Sequence, residues 1–305
     1  MTAPVNRTAI AKQLEPGLNA IFGMEYKGYD EEHKYIFSAE SSSRAYEEDV
    51  LFTGFGAAPV KAEGAAVTYD SARESWVARY MHETVALAFA ITEEAMEDNL
   101  YETLSKRLSK ALARSMAHTK QTKAAAVLNN GFTGGATAGG DGVALIASTH
   151  PLVDGSTGSN RPTTYADLSE ASLEQALIDI SLFVDDRNIP IAAQALSILI
   201  PPQLVFVAER LFATVNRVAT ADNDINAFKS KGMLSGGYNV IRRLTDTDAW
   251  FVKTDVPDGL KMFDRVKMQT KMEGDFETGN MRYKARERYS FGWSNWRGIY
   301  GNQGA

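Results

Sequence analysis

The stretch TEEAMEDNLYETLSKRLSKALARSMAHTKQTKAAAVL, from Thr92 to Leu128, carries the strongest helical signal in this 305-residue chain. Thr92 is a suitable N-cap, and Glu93 and Glu94 place negative charge in the first turn, where the helix dipole favours it. A rise of ~1.5 Å per residue gives a helix about 55 Å long, against about 50 Å for the diameter of a compact sphere of this chain length. We therefore expect a flat, elongated body.

Two stripes of side chains follow this helix at a spacing of four residues. A basic stripe consists of Lys106, Lys110 and Arg114, and an apolar stripe on another face consists of Leu100, Leu104, Leu108, Leu112 and Met116. Apolar residues at helical spacing mark the face that a helix buries. The apolar stripe is therefore predicted to lie in the core.

Before the helix, between Val50 and Ile91, short alternating runs are separated by glycine and proline, a pattern typical of strands and turns. We interpret this region as a long hairpin. Its segment Gly54 to Ala66 is rich in Gly and Ala and poor in large apolar residues, so it can bury little surface by itself. We expect this segment to project from the body and to need a partner.

The N-terminal region carries apolar residues at helical spacing around the helix-breaking pair Pro16 and Gly17, namely Leu14, Leu18, Ile21 and Phe22. The pattern predicts a short helix or arm between Thr8 and Met24. Its apolar residues could fold back on the domain or lie on a neighbouring subunit, and the sequence leaves both alternatives open.

The segment Phe132 to Pro162 is rich in glycine and serine and predicts a loop or linker between two structural units. The second unit begins near Thr163. Its first helix is predicted to open with a capping box of Asp167 and Glu170. That helix should bury one face, formed by Leu173, Leu177, Ile180 and Val184.

The rest of the second unit reads as alternating strands and helices. The apolar run Ala195 to Ile200 predicts a buried strand. Pro201 and Pro202 then begin a helix that is predicted to run through Val218. Further strands are expected at Tyr238 to Ile241 and at Trp250 to Val252. Helices over a mixed sheet make this unit α/β-like.

From Met262 onward, apolar and polar residues alternate again, which predicts two hairpin strands with one face exposed. On the second strand the polar series is entirely basic and consists of Arg282, Lys284, Arg286 and Arg288. After these strands, Trp293, Trp296 and Tyr300 are expected to pack an aromatic surface.

Composition limits the class of protein. The chain is 44% hydrophobic and 23% charged, which is ordinary for a globular protein, and it has no cysteine, so disulfides and thiolate metal sites are excluded. No stretch approaches the roughly 18 apolar residues of a membrane span, and the start lacks the pattern of a signal peptide. We expect a soluble protein made in the cytoplasm, without membrane contact and without a cofactor.

The formal net charge of −6 argues against a protein whose main task is to bind nucleic acid. The charge is nevertheless uneven, because the segment Lys261 to Arg297 carries a net charge of +4 and the rest of the chain carries −10. One region could therefore face a polyanion while the whole protein stays acidic.

Two motifs almost match catalytic patterns. Gly134 to Gly139 has phosphate-loop spacing, but Gly140 and Asp141 stand where that motif needs Lys and Ser or Thr. His82 begins a zinc-protease pattern whose fifth position, Ala86, cannot bind the metal. No histidine has a sequence neighbour that suggests an acid/base partner, so all four are interpreted as structural: His33, His82, His118 and His150. We predict no catalytic, metal or cofactor residue.

Long strings near the C terminus resemble the closing region of Mu-like major head subunits of tailed phages. They are DTDAWFVKTDVPDGLKMF (Asp246 to Phe263) and GDFETGNMRYKARERYSFGWSNWRGIYGN (Gly274 to Asn302). Three upstream strings resemble other parts of the same family. The extended loop resembles TGFGAAPVKAEG (Thr53 to Gly64), and the start of the spine helix resembles ITEEAMEDNLYE (Ile91 to Glu102). The linker that follows resembles ASTHPLVDG (Ala147 to Gly155). The resemblance covers nearly the whole chain.

The resemblance implies an α+β fold of the Hong Kong ninety-seven capsid type. It implies five parts: an N-terminal arm (1–49), an extended β-hairpin loop (50–82), a peripheral domain (83–162) with a spine helix (about 92–128), an α/β axial domain (163–256) and C-terminal strands that return to the peripheral domain (257–305). This division is an expectation from the family, since composition alone indicates only two units.

The same resemblance implies a non-catalytic major capsid protein that self-assembles, as pentamers and hexamers, into an icosahedral shell around double-stranded DNA. The expected location is the virion, after assembly in the cytoplasm of a bacterial host. The implied partners are a portal protein, a scaffolding protein and, in some relatives, decoration proteins. Some relatives begin with a long scaffolding segment that is removed; here the arm starts close to Met1, so we expect a separate scaffolding protein or a mature form.

Two groups of residues are the expected contact sites. The extended loop would lie on a neighbouring subunit through Phe55, Lys61 and Glu63. Some relatives join a loop lysine to an asparagine of another subunit, but here no asparagine can be assigned to Lys61, so no cross-link is expected. The basic strand, Arg282 to Arg288, could neutralise packaged DNA or pair with an acidic neighbour, and the charge of −10 elsewhere favours the neighbour.

Two other functions stay open at this point. An encapsulin-like nanocompartment uses the same fold and would differ in its cargo and partners. A hydrolase or transferase built on the α/β unit is a more distant alternative, for which the sequence offers no candidate nucleophile, metal ligand or cofactor site.

Overall fold

The computed structural model describes residues 7–92, 101–134, 139–214, 225–275 and 278–305. The helices described are α1 (Arg7–Lys27), α2 (His33–Ile36), α3 (Tyr101–Asn129), α4 (Glu170–Ser181), α5 (Val205–Ala213) and α6 (Ala227–Lys231), with 3-10 turns η1 (Pro202–Leu204) and η2 (Trp296–Gly298). The strands described are β1 (Ser38–Ser41), β2 (Tyr46–Phe52), β3 (Glu74–Met81), β4 (Glu83–Ile91), β5 (His150–Pro151), β6 (Thr157–Gly158), β7 (Ala195–Ile200), β8 (Tyr238–Val240), β9 (Trp250–Thr254), β10 (Leu260–Gly274), β11 (Met281–Trp293) and β12 (Ile299–Asn302).

Two four-stranded sheets organise this α+β fold. The first has the order β1-β10-β11-β4, and the second has the order β12-β9-β7-β8. The predicted C-terminal hairpin is confirmed, because β10 and β11 pair antiparallel from Leu260 opposite Trp293 to Gly274 opposite Met281. Strands β2 and β3 form a separate two-stranded hairpin.

Helices α1 and α3 cover one face of the first sheet. Leu18 and Phe22 of α1 pack with Leu112 and Met116 of α3 and with Tyr283 of β11 in one buried cluster. Leu18 and Phe22 therefore fold back on their own chain, as one of the two predicted alternatives has it, and the side chain of Leu14 lies outside the described residues. The helix is also longer than expected, because this packing holds it through Pro16.

The apolar stripe predicted for the long helix is only partly correct. Leu112 and Met116 are buried, but Leu104 is 44% exposed and the buried positions before Leu112 are Ser105 and Ser109. Residues four apart are offset by about 40° on a helix, so a stripe of this spacing turns through about 160° between Leu100 and Met116 and cannot face one surface throughout. The side chain of Leu100 and the predicted start at Thr92 to Glu94 lie outside the part of α3 that is described.

The second sheet is buried on both faces, as the run Ala195 to Ile200 predicts. Ile198, Leu199 and Ile200 of β7 are fully buried, and the helices α4 and α5 flank the sheet. The predicted capping box is wrong by two residues, because Ser169 is the N-cap. Its hydroxyl accepts from the Ser172 amide, and the Ser172 hydroxyl accepts from the Ser169 amide, so the two serines satisfy each other's backbone donors.

The helix predicted to run to Val218 ends at Ala213 instead. Thr214 is extended, with φ −78° and ψ 140°. The last carbonyls are taken by other groups: the Asn226 amide donates to Leu211 O (2.6 Å), and Lys229 Nζ donates to Ala213 O (2.6 Å). Since these carbonyls already have partners, nothing requires the helix to continue.

The glycine-rich region before the second unit is more than a solvent-exposed linker. Leu145, Ile146 and Asn160 in this region are buried. The Asn160 side-chain amide donates to the carbonyls of Leu145 (2.7 Å), Trp296 (3.1 Å) and Ile299 (3.0 Å). A buried polar group stabilises a fold when its hydrogen bonds are all made, so Asn160 fixes this region against the C-terminal residues.

The predicted hairpin has different bounds. It consists of β2 and β3 and therefore begins at Tyr46, whereas β4 pairs with β11 in the first sheet. The chain changes sheets at His82, because Val85, Phe89 and Ile91 of β4 turn their apolar side chains towards the core under α3. The expected domain boundary at residue 83 lies where the chain passes from the β2–β3 hairpin into the first sheet. The division into domains stays a prediction.

A buried ion pair joins the helical layer to the first sheet. The side chain of Glu287 on β11 is 1% exposed, accepts from Tyr26 of α1 (3.2 Å) and pairs with Lys120 of α3 (3.4 Å). Asp264 of β10 lies 3.6 Å from the same ammonium group. Burial raises the pKa of the Glu287 carboxyl, although Lys120 and Tyr26 oppose the shift.

We predict that Lys120→Met destabilises the protein by roughly 3–5 kcal/mol, because it leaves a buried carboxylate without its cation. Lys120 lowers the pKa of Glu287 against the effect of burial, so its removal raises that pKa further. Protonation then neutralises the unpaired carboxyl at low pH, and this relief is lost as pH rises through the raised pKa. The destabilisation should therefore be larger at pH 8 than at pH 5 in urea unfolding curves.

Lys123→Met is the matched control, since Lys123 lies on the same helix and pairs with Glu83 at the surface. Its cost should stay below about 1 kcal/mol at both pH values. Equal effects of the two substitutions would contradict the role assigned to the buried pair.

Candidate assembly surfaces

The hairpin β2–β3 carries a long loop, residues 53–73, that has no regular secondary structure. All three predicted contact residues, Phe55, Lys61 and Glu63, lie on this loop and are exposed. Val60 and Tyr69 beside them are 100% and 95% exposed. The loop thus presents apolar side chains that nothing in the described chain covers.

The base of this loop is closed by hydrogen bonds. Thr53 N donates to Arg73 O (2.9 Å), and the Thr53 hydroxyl accepts from the Arg73 amide (2.9 Å). Arg187, from the turn after α4, donates to Ser71 O (2.7 Å) and lies 3.7 Å from Asp70. The loop therefore leaves the body at a defined point and in a defined direction.

A charged cluster fixes the hairpin to the first sheet. Lys261 of β10 is 8% exposed, and its ammonium group lies 2.7 Å from both Asp49 of β2 and Asp258 and 3.6 Å from Glu40. The Ser294 hydroxyl donates to Asp49 (2.6 Å). Burial by itself lowers the pKa of Lys261, but its hydrogen bonds to Asp258 and Asp49 outweigh that effect and raise it. The lysine is therefore held in its charged form.

The predicted basic strand forms one exposed face of the first sheet. Arg282, Lys284 and Arg286 are exposed, and Arg288 is half-buried. In the strand register Lys284 lies beside Lys271 of β10 and Ala88 of β4. Arg282 pairs with Asp275. Among the residues that the structure describes, no carboxylate lies within ion-pair distance of Lys284, Arg286 or Arg288.

His33 and His82 are held by buried hydrogen bonds, His118 is exposed, and His150 differs from the sequence interpretation. His82 lies between the hydroxyls of Ser290 (3.0 Å) and Ser42 (2.9 Å), and burial, followed by the charge of Arg288, lowers its pKa. His150 does have a carboxylate partner, because its Nδ1 lies 2.7 Å from Asp141, nine residues earlier. Sequence reasoning missed this pair because the glycine-rich turn between 139 and 142 brings Asp141 back to the strand.

The His150–Asp141 pair is part of an aromatic cluster. The imidazole stacks on Trp296 at 4.6 Å and 4°, and its Nε2 has no hydrogen-bond partner among the described residues. The predicted aromatic packing of the tail is confirmed, because Trp293, Trp296 and Tyr300 are all buried. Within the described ranges, no group of three or more His, Asp and Glu side chains could hold a metal ion, and no helix has the length and hydropathy to cross a membrane.

Two clefts lie along these surfaces. One cleft of about 390 Å³ lies between β3 and the end of β11 and is lined by Val77, Tyr80, Gly140 and Trp293. Another, of about 360 Å³, opens beside Arg282 and Lys284 at the tip of the long hairpin. Both are open to the surface at positions where an extended chain could lie.

Comparison with known proteins identifies the family. A model of the family described as phage capsid protein matches residues 77–302. This chain belongs to the phage capsid protein family. No curated protein sequence matches it.

Solved capsid structures share the fold at low sequence identity. The capsid of cyanophage P-SCSP1u is 12% identical with a TM-score of 0.56, over 88% of this chain and 86% of that chain. The capsid of an empty GTA particle is 15% identical with a TM-score of 0.54, over 89% of both chains. The virus-like particle from Pyrococcus furiosus is 12% identical with a TM-score of 0.52, over 93% of this chain and 97% of that chain.

These similarities confirm the Hong Kong ninety-seven type of capsid fold that the sequence resemblance implies. Membership of a capsid family also implies a structural role for the chain.

We predict that Lys261→Met loosens the base of the hairpin and leaves the rest of the fold intact. The substitution leaves Asp49, Asp258 and Glu40 to repel one another, at a cost of about 2 kcal/mol, between the values for exposed and buried pairs. Hydrogen exchange should become faster in β2 and β3 but not in β7 or β9.

Arg79→Met is the control for this experiment, because Arg79 pairs with Glu48 within the same hairpin but at its exposed surface. It should leave the exchange of β2 and β3 nearly unchanged. Uniformly faster exchange in the Lys261 variant would mean that Lys261 supports the whole fold and not the hairpin in particular.

Proposed function

We propose that this protein is the major head subunit of a tailed bacteriophage of the Mu-like group. Copies of the chain would assemble as pentamers and hexamers into an icosahedral shell that encloses double-stranded DNA. The observation that carries the proposal is the loop 53–73, which is exposed from residue 57 to residue 73, bears apolar side chains at its surface and is anchored at its base. Exposed apolar surface held in place by a fixed base is typical of a site that another molecule covers.

The proposal includes the location and the partners. The subunit assembles in the host cytoplasm and becomes part of the virion, where it has no catalytic role. A portal protein and a scaffolding protein are its assembly partners, with decoration proteins as outer partners. The peripheral and axial domains would have the bounds expected from the sequence, and the N-terminal arm would give way to the extended loop at Tyr46, where the hairpin begins. The charged cluster around Lys261 would lie at the root of the extended loop.

A second candidate is the shell of an encapsulin-like nanocompartment. It is favoured by the likeness to the virus-like particle from Pyrococcus furiosus, which extends over 93% of this chain. The phage capsid family match over residues 77–302 favours the phage head. The contents of purified particles distinguish the two, since a head holds DNA and a nanocompartment holds a cargo protein.

Negative-stain electron microscopy with sedimentation, on the expressed chain with and without its phage neighbours, tests the shared part of both proposals. Hollow shells or five- and six-fold capsomers are expected. A uniform monomer or dimer under both conditions would overturn the assembly function.

We predict that deletion of Gly54 to Ala66 gives a folded subunit that cannot close shells. The residues that remain between Thr53 and Arg73 still span the hydrogen bonds that close the hairpin, and none of the deleted residues lies in a buried cluster. The unfolding midpoint should stay close to that of the full chain. Normal particles from the deleted chain would contradict the proposed role of the loop.

Point variants on the loop refine this test. Phe55→Ser should weaken shell closure most, because it removes an apolar side chain that is 64% exposed. Lys61→Gln and Glu63→Gln change only exposed charges and should have smaller effects that diminish in high salt.

The basic strand provides a further prediction. Lys284 lies opposite Lys271, and Arg286 lies between Lys284 and Arg288 along the same face of β11. Both therefore gain most from an anionic partner, and the acidic surface of a neighbouring subunit is the partner we favour. The double substitution Lys284→Glu with Arg286→Glu should then abolish assembly of empty shells in the absence of DNA. Lys34→Glu, at an exposed residue of α2 outside this sheet, is the control.

The alternative outcome has a different signature. If the double variant forms normal empty shells but retains less DNA as salt is raised, the strand faces the packaged DNA. That result would contradict the contact with an acidic neighbour.

A further inference from the structure

Helix α4 presents an exposed surface that is both apolar and acidic. Ile178 and Leu182 are 52% and 68% exposed, and Glu174 lies one turn before Ile178 on the same side of the helix. The chain from Tyr165 to Asp186 contains six acidic residues and no lysine or arginine. We call Glu174, Ile178 and Leu182 the α4 surface.

Helix α5 presents an exposed surface of the opposite charge. Phe206 is 78% exposed, and Arg210, one turn later on the same side, is also exposed. Lys229 and Ile225 are exposed near the C-terminal end of α5, where Asn226 donates to Leu211 O. Glu209, the acidic residue of this helix, accepts from the Tyr238 hydroxyl (2.7 Å). We call Phe206 and Arg210 the α5 surface.

The two surfaces are associated with opposite edges of the second sheet. The Tyr300 hydroxyl of edge strand β12 donates to Asp179 of α4 (2.8 Å), and the Tyr238 hydroxyl of edge strand β8 donates to Glu209 of α5. Strands β9 and β7 lie between these edges, so the two tyrosine-bearing strands are about 14 Å apart at ordinary strand spacing. One subunit can therefore use both surfaces at once, towards two different neighbours.

We propose that the α4 surface of one copy of this chain packs against the α5 surface of the next copy. Each surface has a large apolar side chain with a charge one turn away, and the two charges are opposite, so the surfaces complement each other and not themselves. A contact between two different surfaces is heterologous, and repeated contacts of this kind close into a ring when the rotation from one copy to the next closes. The inference rests on the proposed shell function and names the contact that joins subunits within a pentamer or hexamer.

Two single substitutions test this contact. Leu182→Glu blocks the α4 surface, and Phe206→Glu blocks the α5 surface by placing a carboxylate opposite Glu174 of the neighbouring copy. Both residues are exposed, so circular dichroism and the unfolding midpoint should match those of the unchanged chain. In analytical ultracentrifugation each variant should stay monomeric at concentrations at least about tenfold above those at which the unchanged chain assembles.

The decisive experiment mixes the two variants in equal amounts. Each variant keeps one intact surface, so the mixture should form 1:1 heterodimers that do not grow into rings, since the other two surfaces both carry a new glutamate. Val153→Glu, at an exposed apolar residue of the β5–β6 turn, is the control and should assemble normally.

The outcomes separate this inference from the function on which it rests. If the unchanged chain assembles and either single variant assembles equally well, or if the mixture stays monomeric, the contact is wrong and the shell function stands. If the unchanged chain forms no capsomers or shells, the shell function itself fails.

Discussion

The antiparallel pairing of β10 with β11 is the interaction on which the rest of the fold depends. On one side of this hairpin, Tyr283, Ala285 and Glu287 meet the helices α1 and α3. On the other side lie the basic residues that face outward. The end of β11 continues through Trp293 into η2 and β12, which form the edge of the second sheet. One continuous pairing therefore sets the position of the helical layer, the projecting hairpin and the second sheet relative to one another.

Buried charge is found at two places where other elements join this hairpin. Glu287 accepts a hydrogen bond from Tyr26 of α1 and pairs with Lys120 of α3, and Lys261 pairs with Asp49 of β2. An apolar contact would tolerate sliding, whereas a buried charge is stable only with its partners in place. The two clusters thus specify position more than they add stability. This suits a subunit whose projecting parts must reach a neighbour in a fixed direction.

The sequence predicts most of the elements, because burial imposes a period that can be seen directly, as in β7 and the strand Met281 to Trp293. It fails where a long-range partner decides the outcome. Nothing near Thr214 signals that Asn226 takes the helix carbonyls, and nothing near Asn160 signals its carbonyl partners 136 and 139 residues away. Two residues do indicate a long-range partner from their local sequence alone. Glu287 interrupts an apolar series on β11, and Lys261 stands between Leu260 and Met262, so each predicted a buried partner of opposite charge.

The exposed contact surfaces also combine local sequence, which supplies the apolar residues, with the overall fold, which fixes their positions. Exposed apolar residues such as Val60, Tyr69 and Phe206 are unfavourable in an isolated subunit, since each would gain free energy by leaving water. Their positions are nevertheless fixed by the fold: Thr53 and Arg73 define where the loop leaves the body, and the second sheet separates α4 from α5. A rigid body that holds uncovered apolar surface in fixed directions is incomplete alone. The physical requirement that such surface be covered therefore argues for assembly independently of any resemblance to known capsids.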